Sequence, residues 1–453
     1  MKQLLTFLGA FCALCVSGSA AEKPNVIVIW TDDQGYADLS VHGNKDYQTP
    51  NIDSLALNGV RCTDGYVTQP QCSPSRAGMI TGRHQSRFGH EENPPNDADA
   101  RYGLPLTEKT LADYLKAAGY VTGHVGKWHL GHHSTQAPLA RGFMESMCVE
   151  GCFDSVEAQK AFTESIRGKY KTRGKYAVLW RNGVPGEMPG YVGDVVAKES
   201  AAFIERHHAE PFFLYVPHDF PHVPVVTDEK YLKRVANIAD PKRRDYAAMM
   251  LAVDDAVGGM LAALRKHGIE ERTLIFFMSD NGGPSNGRLP CFNTPFTGNK
   301  GGMSEGGIRV PYFVQWKGTL PAGKVHGRPV STLDIVPTAL AAAGIVPPSD
   351  ANLDGVNLIP FLKGEKSGDP HERLYWRYLR RDLWAIREGD WKLRHDKRSQ
   401  PKLYDLSKDL AEANDLAAQQ PERAKALQAA YEAWAKDLPK PLWNNDKSEV
   451  ADQ

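Results

Sequence analysis

The sequence has no surplus of charge of either sign. Lys and Arg together number 54, Asp and Glu together number 54, and the formal net charge of the 453-residue chain is therefore zero. Proteins that bind nucleic acid or adhere to anionic membranes normally carry a basic excess. The balance argues against both kinds of partner, although local patches of positive charge remain compatible with it.

Long apolar runs are also scarce, and the clearest one lies at the start of the chain. Residues 1–21 contain a charged Lys2, an apolar stretch over 4–16 and small residues before a cleavage site after Ala20 or Ala21. This order is typical of a secretory signal peptide and is too short for a good transmembrane span. Because no later stretch looks apolar enough to cross a bilayer, we expect an exported protein, periplasmic or secreted, without a membrane span.

Cysteine is rare once the predicted signal peptide, with Cys12 and Cys15, is set aside. Five of the seven cysteines remain: Cys62, Cys72, Cys148, Cys152 and Cys291. An odd number in an oxidising compartment indicates one thiol with a special role. If Cys72 has that role, the other four can pair or remain thiols, and the sequence leaves their pairing open.

The chain lacks internal repeats and low-complexity linkers, and its composition of 42% hydrophobic and 24% charged residues is that of a globular protein. Four nearly continuous apolar runs predict strands buried on both faces: residues 25–30, 120–125, 211–216 and 273–278. Helical patterns over 107–119 and 246–268 lie between them. This alternation predicts an α/β sandwich built on a large mixed, mostly parallel sheet.

The pattern changes near the C-terminus to an apolar alternation of period two. A turn is expected at Glu388-Gly389-Asp390, and a last helix near residues 421–436. We therefore predict a small C-terminal antiparallel sheet with a helix packed on it.

Polar residues follow each of the four predicted strands, where ligands collect in open α/β sheets. Asp32 and Asp33 follow the first strand, and Asp280 and Asn281 follow the last. Adjacent carboxylates raise each other's pKa unless a cation compensates them. The two pairs suggest one oxygen-lined site for Ca²⁺ or Mg²⁺ rather than zinc. For Asp32 and Asp33 taken alone, the alternative is a turn stabilised by the Asp side chains.

Further cations and proton donors occur in glycine-rich or proline-rich motifs. Lys127 and His129 lie in "GKWHLG", His222 in "PHVP" and Lys300 in "GNKGGMSEGGIRVP". The glycines would let the backbone approach a ligand closely. A single Lys is ordinarily a solvated charge and a lone His ordinarily a structural residue. We assign that ordinary role to His218.

The stretch "QCSPSRAGMITGR", residues 71–83, places a cysteine at the predicted start of a helix. Ser73 suits the N-cap and Pro74 the first helical position. Cys72 would then lie beside a positive helix N-terminus, where anions bind, with the Arg76 cation one turn further. These features suit a tetrahedral oxyanion, and a thiolate nucleophile also remains conceivable.

With these motifs the sequence resembles the formylglycine-dependent type I sulfatase family, arylsulfatase-like members of the alkaline phosphatase superfamily. The Cys-Ser-Pro-Ser-Arg run at 72–76 is part of a set of motifs that occur in family order. Before it come "KPNVIVIWTDDQG" and "TPNIDSLALNGV", and after it come "AGMITGR", "GYVTGHVGKWHLG", "SDNGG", "KGGMSEGGIRVP", "DIVPTALAAAGI" and "WAIREGDWKL". The resemblance covers nearly the whole mature chain. It implies an alkaline-phosphatase-like sandwich, divided into a signal peptide (1–21), a catalytic domain (22–365) and a C-terminal subdomain (366–453).

The resemblance also implies that Cys72 is a precursor. In the family this cysteine is oxidised to formylglycine by a maturation enzyme, which reads the residues corresponding to Pro74 and Arg76. One hydroxyl of the hydrated aldehyde attacks sulfur, and the second allows the bound sulfate to be expelled.

The same resemblance assigns a role to each candidate residue. One calcium ion would be bound by residue 72 together with Asp32, Asp33, Asp280 and Asn281. Arg76 would hold the diol, Lys127 and Lys300 would bind sulfate oxygens, His129 would assist elimination and His222 would protonate the leaving oxygen.

The resemblance, together with the predicted export, implies that the substrate is a sulfated small molecule or oligosaccharide. Residues 131–200 and 285–295 depart most from the family pattern, so the identity of the sulfated sugar stays open. Arg380, Arg381 and Trp384 are expected at the pocket rim, with an ordinary sheet face as the alternative.

Three other functions remain as alternatives. They are a phosphonate or phosphodiester hydrolase of the same superfamily, a secreted calcium- or carbohydrate-binding protein with an inactive site, and a redox or cysteine-hydrolase function. The last of these requires an unmodified Cys72.

Overall fold

The computed structural model describes residues 23–95, 99–150, 178–284 and 289–443, so the predicted signal peptide lies outside it. Within these ranges the strands are β1 (Asn25–Thr31), β2 (Val60–Cys62), β3 (Gly65–Tyr66), β4 (Val121–Lys127), β5 (Glu145–Glu150), β6 (Val178–Arg181), β7 (Val184–Glu187), β8 (Phe212–Pro217), β9 (Thr273–Ser279), β10 (Tyr312–Gln315), β11 (Lys324–His326), β12 (Val330–Ser331), β13 (Leu374–Tyr378), β14 (Leu383–Glu388), β15 (Trp391–His395) and β16 (Lys402–Asp405). They form a ten-stranded sheet in the order β11-β2-β10-β9-β1-β8-β4-β5-β6-β7, a two-stranded sheet (β12-β3) and a four-stranded sheet (β13-β14-β15-β16).

The α-helices lie between and beside these strands. In the described residues they are α1 (Pro50–Leu57), α2 (Cys72–Thr81), α3 (Leu111–Ala117), α4 (Val192–His207), α5 (Glu229–Arg234), α6 (Pro241–Lys266), α7 (Glu305–Ile308), α8 (Ile335–Ala342), α9 (Ile359–Lys363) and α10 (Pro421–Ala435).

The four strands predicted from apolar runs are the four neighbours β9, β1, β8 and β4 in the middle of the large sheet. They pair in parallel. Successive residues of β1 face opposite sides, so that Val26 and Val28 join one apolar cluster and Ile27 and Ile29 join the other. Helices cover both faces of such a sheet. The predicted α/β sandwich with a mixed, mostly parallel sheet is confirmed.

The long helix α6 corrects one expectation from the sequence. By length and composition this helix is apolar enough to cross a bilayer. However, 78% of its most apolar stretch is buried inside the protein, as in a core helix. The helix begins at Pro241, before the predicted residue 246, because the Asp240 side chain caps it by accepting a hydrogen bond from Lys242 N.

The C-terminal sheet and its helix also match the prediction. Strands β13 to β16 pair antiparallel in sequence order, and the expected turn joins β14 to β15. Apolar side chains of the sheet and of α10 form a separate small cluster: Ile386, Leu393, Leu403, Leu427 and Tyr431.

Candidate active site

Two pairs of polar residues meet where β1 and β9 end. The strands are parallel neighbours, and the Asp280 backbone N–H donates to the carbonyl of Thr31 at 3.0 Å. In return, the Asp33 N–H donates to Asp280 Oδ1 at 3.2 Å. The structure thus brings Asp32 and Asp33 together with Asp280 and Asn281 at one edge of the sheet.

Carboxylate and amide oxygens at this point suit a hard divalent cation. One ligand atom each from Asp32, Asp33, Cys72 and His222 lies within 4.8 Å of the others, a grouping that contains His222 and not the predicted ligand Asp280. Asn281 Nδ2 donates to Asp33 Oδ1 at 2.7 Å, whereas the buried Asn281 Oδ1 has no hydrogen-bond partner among the described residues. A buried amide oxygen without a donor is costly unless a cation or water satisfies it. Carboxylate and amide oxygens are the ligands that calcium prefers.

Cys72 is fully surrounded by this polar cluster. It is 1% exposed, its thiol lies 3.5 Å from Asp32 Oδ1, and Lys300 Nζ donates to its sulfur at 3.1 Å. Burial and the carboxylates of Asp280 and Asp32 raise the pKa of the Cys72 thiol well above its usual value. A protonated thiol is a weak nucleophile, which argues against hydrolysis by unmodified cysteine.

The start of α2 differs from the prediction by two residues. The N-cap is Gln71 rather than Ser73, and Cys72 itself is the first helical residue. Ser73 does not cap because its hydroxyl hydrogen-bonds His90 Nε2 at 2.7 Å and its backbone N–H donates to Asn93 Oδ1 at 3.1 Å. Residue 72 still lies at the positive end of a helix of ten residues, as expected.

Arg76 joins the carboxylates from the two strand ends. Its Nη2 lies 3.1 Å from Asp32 Oδ2 and 2.9 Å from Asp280 Oδ2, and all three side chains are buried. Burial alone would raise the pKa of Asp32, but the charges of Lys127, His222 and Arg76 hold it well below its usual value. Burial and the neighbouring Asp32 raise the pKa of Asp280.

Each of the two predicted sulfate-binding lysines pairs with a different member of the aspartate pair. Lys127 Nζ lies 2.8 Å from Asp32 Oδ2, and Lys300 Nζ lies 2.8 Å from Asp33 Oδ1. Lys127 also lies 3.7 Å from Asp219 Oδ1, a buried carboxylate that our sequence reasoning missed. Asp219 lies in "PHDFPHVP", directly after a predicted strand, and this position could have indicated a residue of the site.

The structure distinguishes the two histidines after β8. His222 Nε2 faces the cluster at 3.6 Å from Asp33 Oδ2, whereas His218 Nδ1 accepts a hydrogen bond from the Phe220 N–H at 3.2 Å. Burial lowers the pKa of His222 to about 4, although the nearby Asp32 opposes this. His218 therefore has a local structural contact, and His222 is placed to act on a ligand.

Unusual backbone conformations occur at two predicted site residues. Asp33 and His129 have positive φ angles of 63° and 61°. Left-handed conformations at residues other than glycine cost free energy and cluster at functional sites. Gly126, three residues before His129, has φ 136°, and a Cβ there would clash with the carbonyl oxygen of Pro217. This glycine therefore permits close backbone packing of β4 on β8.

The C-terminal subdomain reaches the site through the turn between β13 and β14. This rim turn (Leu379–Arg381) lies beside the Lys300 loop, where a Cβ on Gly301 would be 3.0 Å from Arg381 Nη1. Trp384, which we also expected at the rim, instead stacks on Tyr431 at 4.2 Å inside the subdomain. Of the side chains expected at the rim, Arg381 is the one placed beside this loop.

The loop that carries Lys300, residues 297–304, is held at both ends by the C-terminal subdomain. Thr297 Oγ1 donates to the Ala411 carbonyl at 2.7 Å, and Arg394 Nη1 donates to Ser304 Oγ at 2.6 Å. Next to it, buried Lys392 bridges two buried carboxylates, at 2.7 Å from Glu305 and 3.1 Å from Glu412. We call this group, with Arg394, the loop clamp.

Several sequence predictions fall on parts of the chain that the structure does not describe. Residues 151–177 and 285–288, within the segments expected to vary the pocket, lie outside it. Cys148 is disulfide-bonded, whereas Cys62, Cys72 and Cys291 are free and buried. Two of the four cysteines left open for pairing are therefore thiols.

Comparison with known proteins identifies the family. The Sulfatase family profile matches residues 24–345, and the profile "N-sulphoglucosamine sulphohydrolase, C-terminal" matches residues 298–436. N-acetylgalactosamine-6-sulfatase of Mus musculus is 34% identical over 407 residues, covering 86% of this chain and 75% of that protein.

Solved structures extend the likeness to the fold. Ps i-CgsB in complex with k-i-k-neocarrahexaose has 33% identity and a TM-score of 0.86, with 95% of this chain and 97% of that chain covered. The phosphonate monoester hydrolase of Agrobacterium radiobacter, at 24% identity and a TM-score of 0.66 with 91% and 95% covered, shares the alkaline-phosphatase-like fold alone. The chain belongs to the sulfatase family and is a sulfuric ester hydrolase.

Proposed function

We propose that this sulfatase removes sulfate from a sulfated carbohydrate, using a formylglycine made from Cys72 and one bound calcium ion. The observation that carries the proposal is the convergence of Cys72, the aspartate pair, Arg76 and Lys300 at one buried point. The buried cysteine lies at the N-terminus of α2, directly beside these charged groups.

The calcium ion would be held by Asp32, Asp33, Asp280 and Asn281, together with residue 72. The unsatisfied Asn281 Oδ1 supports this assignment, as does the density of buried carboxylates. When bound, the ion would neutralise negative charge on a sulfate group and on the reacting oxygen.

The formylglycine, when present, supplies the hydroxyl that attacks sulfur and a second one that allows the sulfate to be expelled. The chain's other residues prepare that chemistry by charge and position. Lys127 and Lys300 can move from their aspartate partners to the sulfate oxygens, and Arg76 fixes the carboxylates around residue 72. Preorganised cations of this kind usually provide a large part of the rate enhancement.

Proton delivery falls to His222. Its Nδ1 hydrogen-bonds the Val223 carbonyl at 2.6 Å, so Nε2 is the nitrogen directed toward the cluster. The negative sulfate of a substrate would raise the pKa of the ring and favour its protonated form. His129, in its left-handed conformation at the end of β4, is proposed to assist the release of sulfate.

The carbohydrate substrate is supported by two related proteins. One is named an N-acetylgalactosamine-6-sulfatase, and the other was solved with k-i-k-neocarrahexaose. Sulfate release should be measured on sulfated mono- and oligosaccharides in which each sulfate position is known. Hydrolysis of phosphonate and phosphodiester compounds should be measured beside it as alternative substrates. Faster turnover of the phosphorus compounds than of every sulfate ester would contradict the proposal.

Export after removal of residues 1–21, and maturation by a formylglycine-generating enzyme, belong to the same proposal. The "CSPSR" run supplies the sequence that such an enzyme would read. N-terminal sequencing of protein recovered from the exported fraction should begin at residue 21 or 22. A protein retained inside the cell with an intact N-terminus would count against export.

We expect His222→Ala to slow hydrolysis of sugar sulfates by about a hundredfold or more, because alcohols that leave poorly need a proton. Activated aryl sulfates, whose leaving groups need little protonation, should lose less than about tenfold. The measurement is kcat/KM on both substrate types. His218→Asn is the matched control, since Asn can still accept from Phe220 N. Equal losses on the two substrates would exclude the general-acid role.

A further inference from the structure

The rim turn is fixed against the catalytic part of the molecule by two buried carboxylates. The Leu379 N–H donates to Glu91 Oε2 at 3.2 Å, and Arg380 Nε donates to Glu92 Oε1 at 2.7 Å. Glu91 and Glu92 are each 1% exposed. They lie just before Asn93, which binds the Ser73 N–H, so the turn is anchored close to the start of α2.

Arg381 is placed on the side of the pocket that carries Lys300. A Cβ on Gly301 would lie 3.0 Å from Arg381 Nη1, and Gly301 directly follows Lys300. Consecutive Cα atoms are about 3.8 Å apart. The Lys300 ammonium in turn reaches the sulfur of Cys72 at 3.1 Å. A guanidinium next to this backbone can meet a substrate group that extends outward from the reacting sulfate.

Contacts with neighbouring residues hold both arginines of the rim turn. Arg380 is ion-paired with Glu92, and it therefore ties the turn down. Arg381 lies 5.2 Å from the centroid of the Tyr378 ring, whose hydroxyl also bonds Glu92 at 3.3 Å. A guanidinium held over an aromatic ring presents a preorganised planar fork, which suits the oxygens of sulfate and carboxylate.

More basic side chains continue the surface away from the pocket. The Arg398 N–H donates to Asp382 Oδ2 at 3.4 Å, which places the turn after β15 against the residue that follows Arg381. Lys397 and Arg398 are both exposed. In a chain with no net charge, this concentration of cations beside the pocket is a local feature, and the acidic residues Asp382 and Asp396 lie among them.

We propose that Arg381 is a specificity residue that binds a second anionic group, a sulfate or carboxylate, on the saccharide whose sulfate is hydrolysed. The enzyme then prefers saccharides with at least two negative charges over singly sulfated ones. This inference deepens the proposed function and rests on it, because the substrate is taken to be a sulfated carbohydrate.

The test compares Arg381→Ala, Arg381→Lys and the unaltered protein on three kinds of substrate. These are an aryl monosulfate, a disaccharide with only the hydrolysable sulfate, and the same disaccharide with an added sulfate or an added carboxylate. We expect Arg381→Ala to lower kcat/KM at least about tenfold on the doubly charged disaccharides, mainly through KM, and less at high ionic strength. Arg381→Lys should be intermediate, and the two singly charged substrates should be unaffected.

The matched control is Arg423→Ala, an exposed arginine over Trp391 in the same subdomain. A binding measurement with a saccharide that keeps only the second anion provides a readout independent of turnover. If the unaltered protein releases sulfate but Arg381→Ala loses kcat/KM equally on all substrates, or loses none on the doubly charged ones, this inference is wrong and the proposed function still stands. If the unaltered protein releases no sulfate from any substrate, the proposed function fails and this inference fails with it.

Discussion

Cys72→Ala is expected to remove sulfate-ester hydrolysis, lowering turnover by about four to six orders of magnitude. Alanine leaves no group to attack sulfur. The side chain is buried and small, and the cations proposed to bind sulfate come from other elements, Lys127 from β4 and Lys300 from its loop. The variant should therefore fold and still bind substrate. Turnover and the dissociation constant of an unreacted substrate should be measured together.

Cys72→Ser separates the two halves of the proposed chemistry. A serine hydroxyl can accept the sulfuryl group but has no second hydroxyl to expel it. We therefore expect a stable sulfate ester on residue 72, seen by mass spectrometry as the addition of one SO₃ group to the peptide that contains it. Ser73, whose hydroxyl hydrogen-bonds His90, lies on the same peptide and should stay unmodified.

The modification itself can be read directly from the unaltered protein. In an active preparation, the peptide spanning residues 71–83 should carry formylglycine at residue 72. Arg76→Ala should reduce both the extent of this conversion and the activity of the converted fraction, because Arg76 lies in the proposed maturation sequence and binds Asp32 and Asp280. A quantitative thiol at residue 72 in fully active enzyme would refute the mechanism.

Asp33→Asn is expected to lower activity by roughly a thousandfold, the order that follows when several kcal/mol of charge stabilisation at a metal site is lost. The substitution is nearly isosteric, and asparagine tolerates the left-handed φ of 63° at this position. It removes the charge that faces Lys300 and His222 and weakens the proposed calcium site.

Calcium binding by Asp33→Asn should be followed calorimetrically beside kcat. Chelation of calcium should inactivate the unaltered protein, and excess calcium should restore it and partly rescue the variant. Asp350→Asn, an exposed carboxylate on a 3₁₀ turn before Asn352, is the control and should change neither quantity. Full activity of the unaltered protein in the presence of a chelator, with no calcium bound, would exclude the metal site.

The middle of the fold was predictable because local pattern and burial agree there. The apolar runs that form β9, β1, β8 and β4 are buried on both faces of the sheet. A continuous apolar run of this length is therefore stable as a central strand of the sheet. Polar residues at the ends of such strands must then meet at one edge of the sheet. That geometry brought Asp32, Asp33, Asp280 and Asn281 together.

Long-range contacts account for what the sequence did not predict. Ser73 is a good N-cap by type, but His90 and Asn93 bind it, and the cap moved to Gln71. Trp384 is of a residue type that often stacks on sugars, yet Tyr431 of helix α10, far along the chain, stacks on its ring. Such partners are far away along the chain, and no local pattern specifies them.

The loop clamp makes the C-terminal subdomain a part of the machinery. Lys392, Arg394 and Glu412 hold the backbone next to Lys300, and breaking a buried ion pair by removing one partner costs roughly 3–5 kcal/mol. The same subdomain presents Arg381. A chimera that exchanges this subdomain between relatives would therefore exchange the proposed specificity residue and the support of the Lys300 loop as one inheritable block. If Arg381 selects the substrate as proposed, changes in substrate choice are expected at the rim turn, with the clamp left intact.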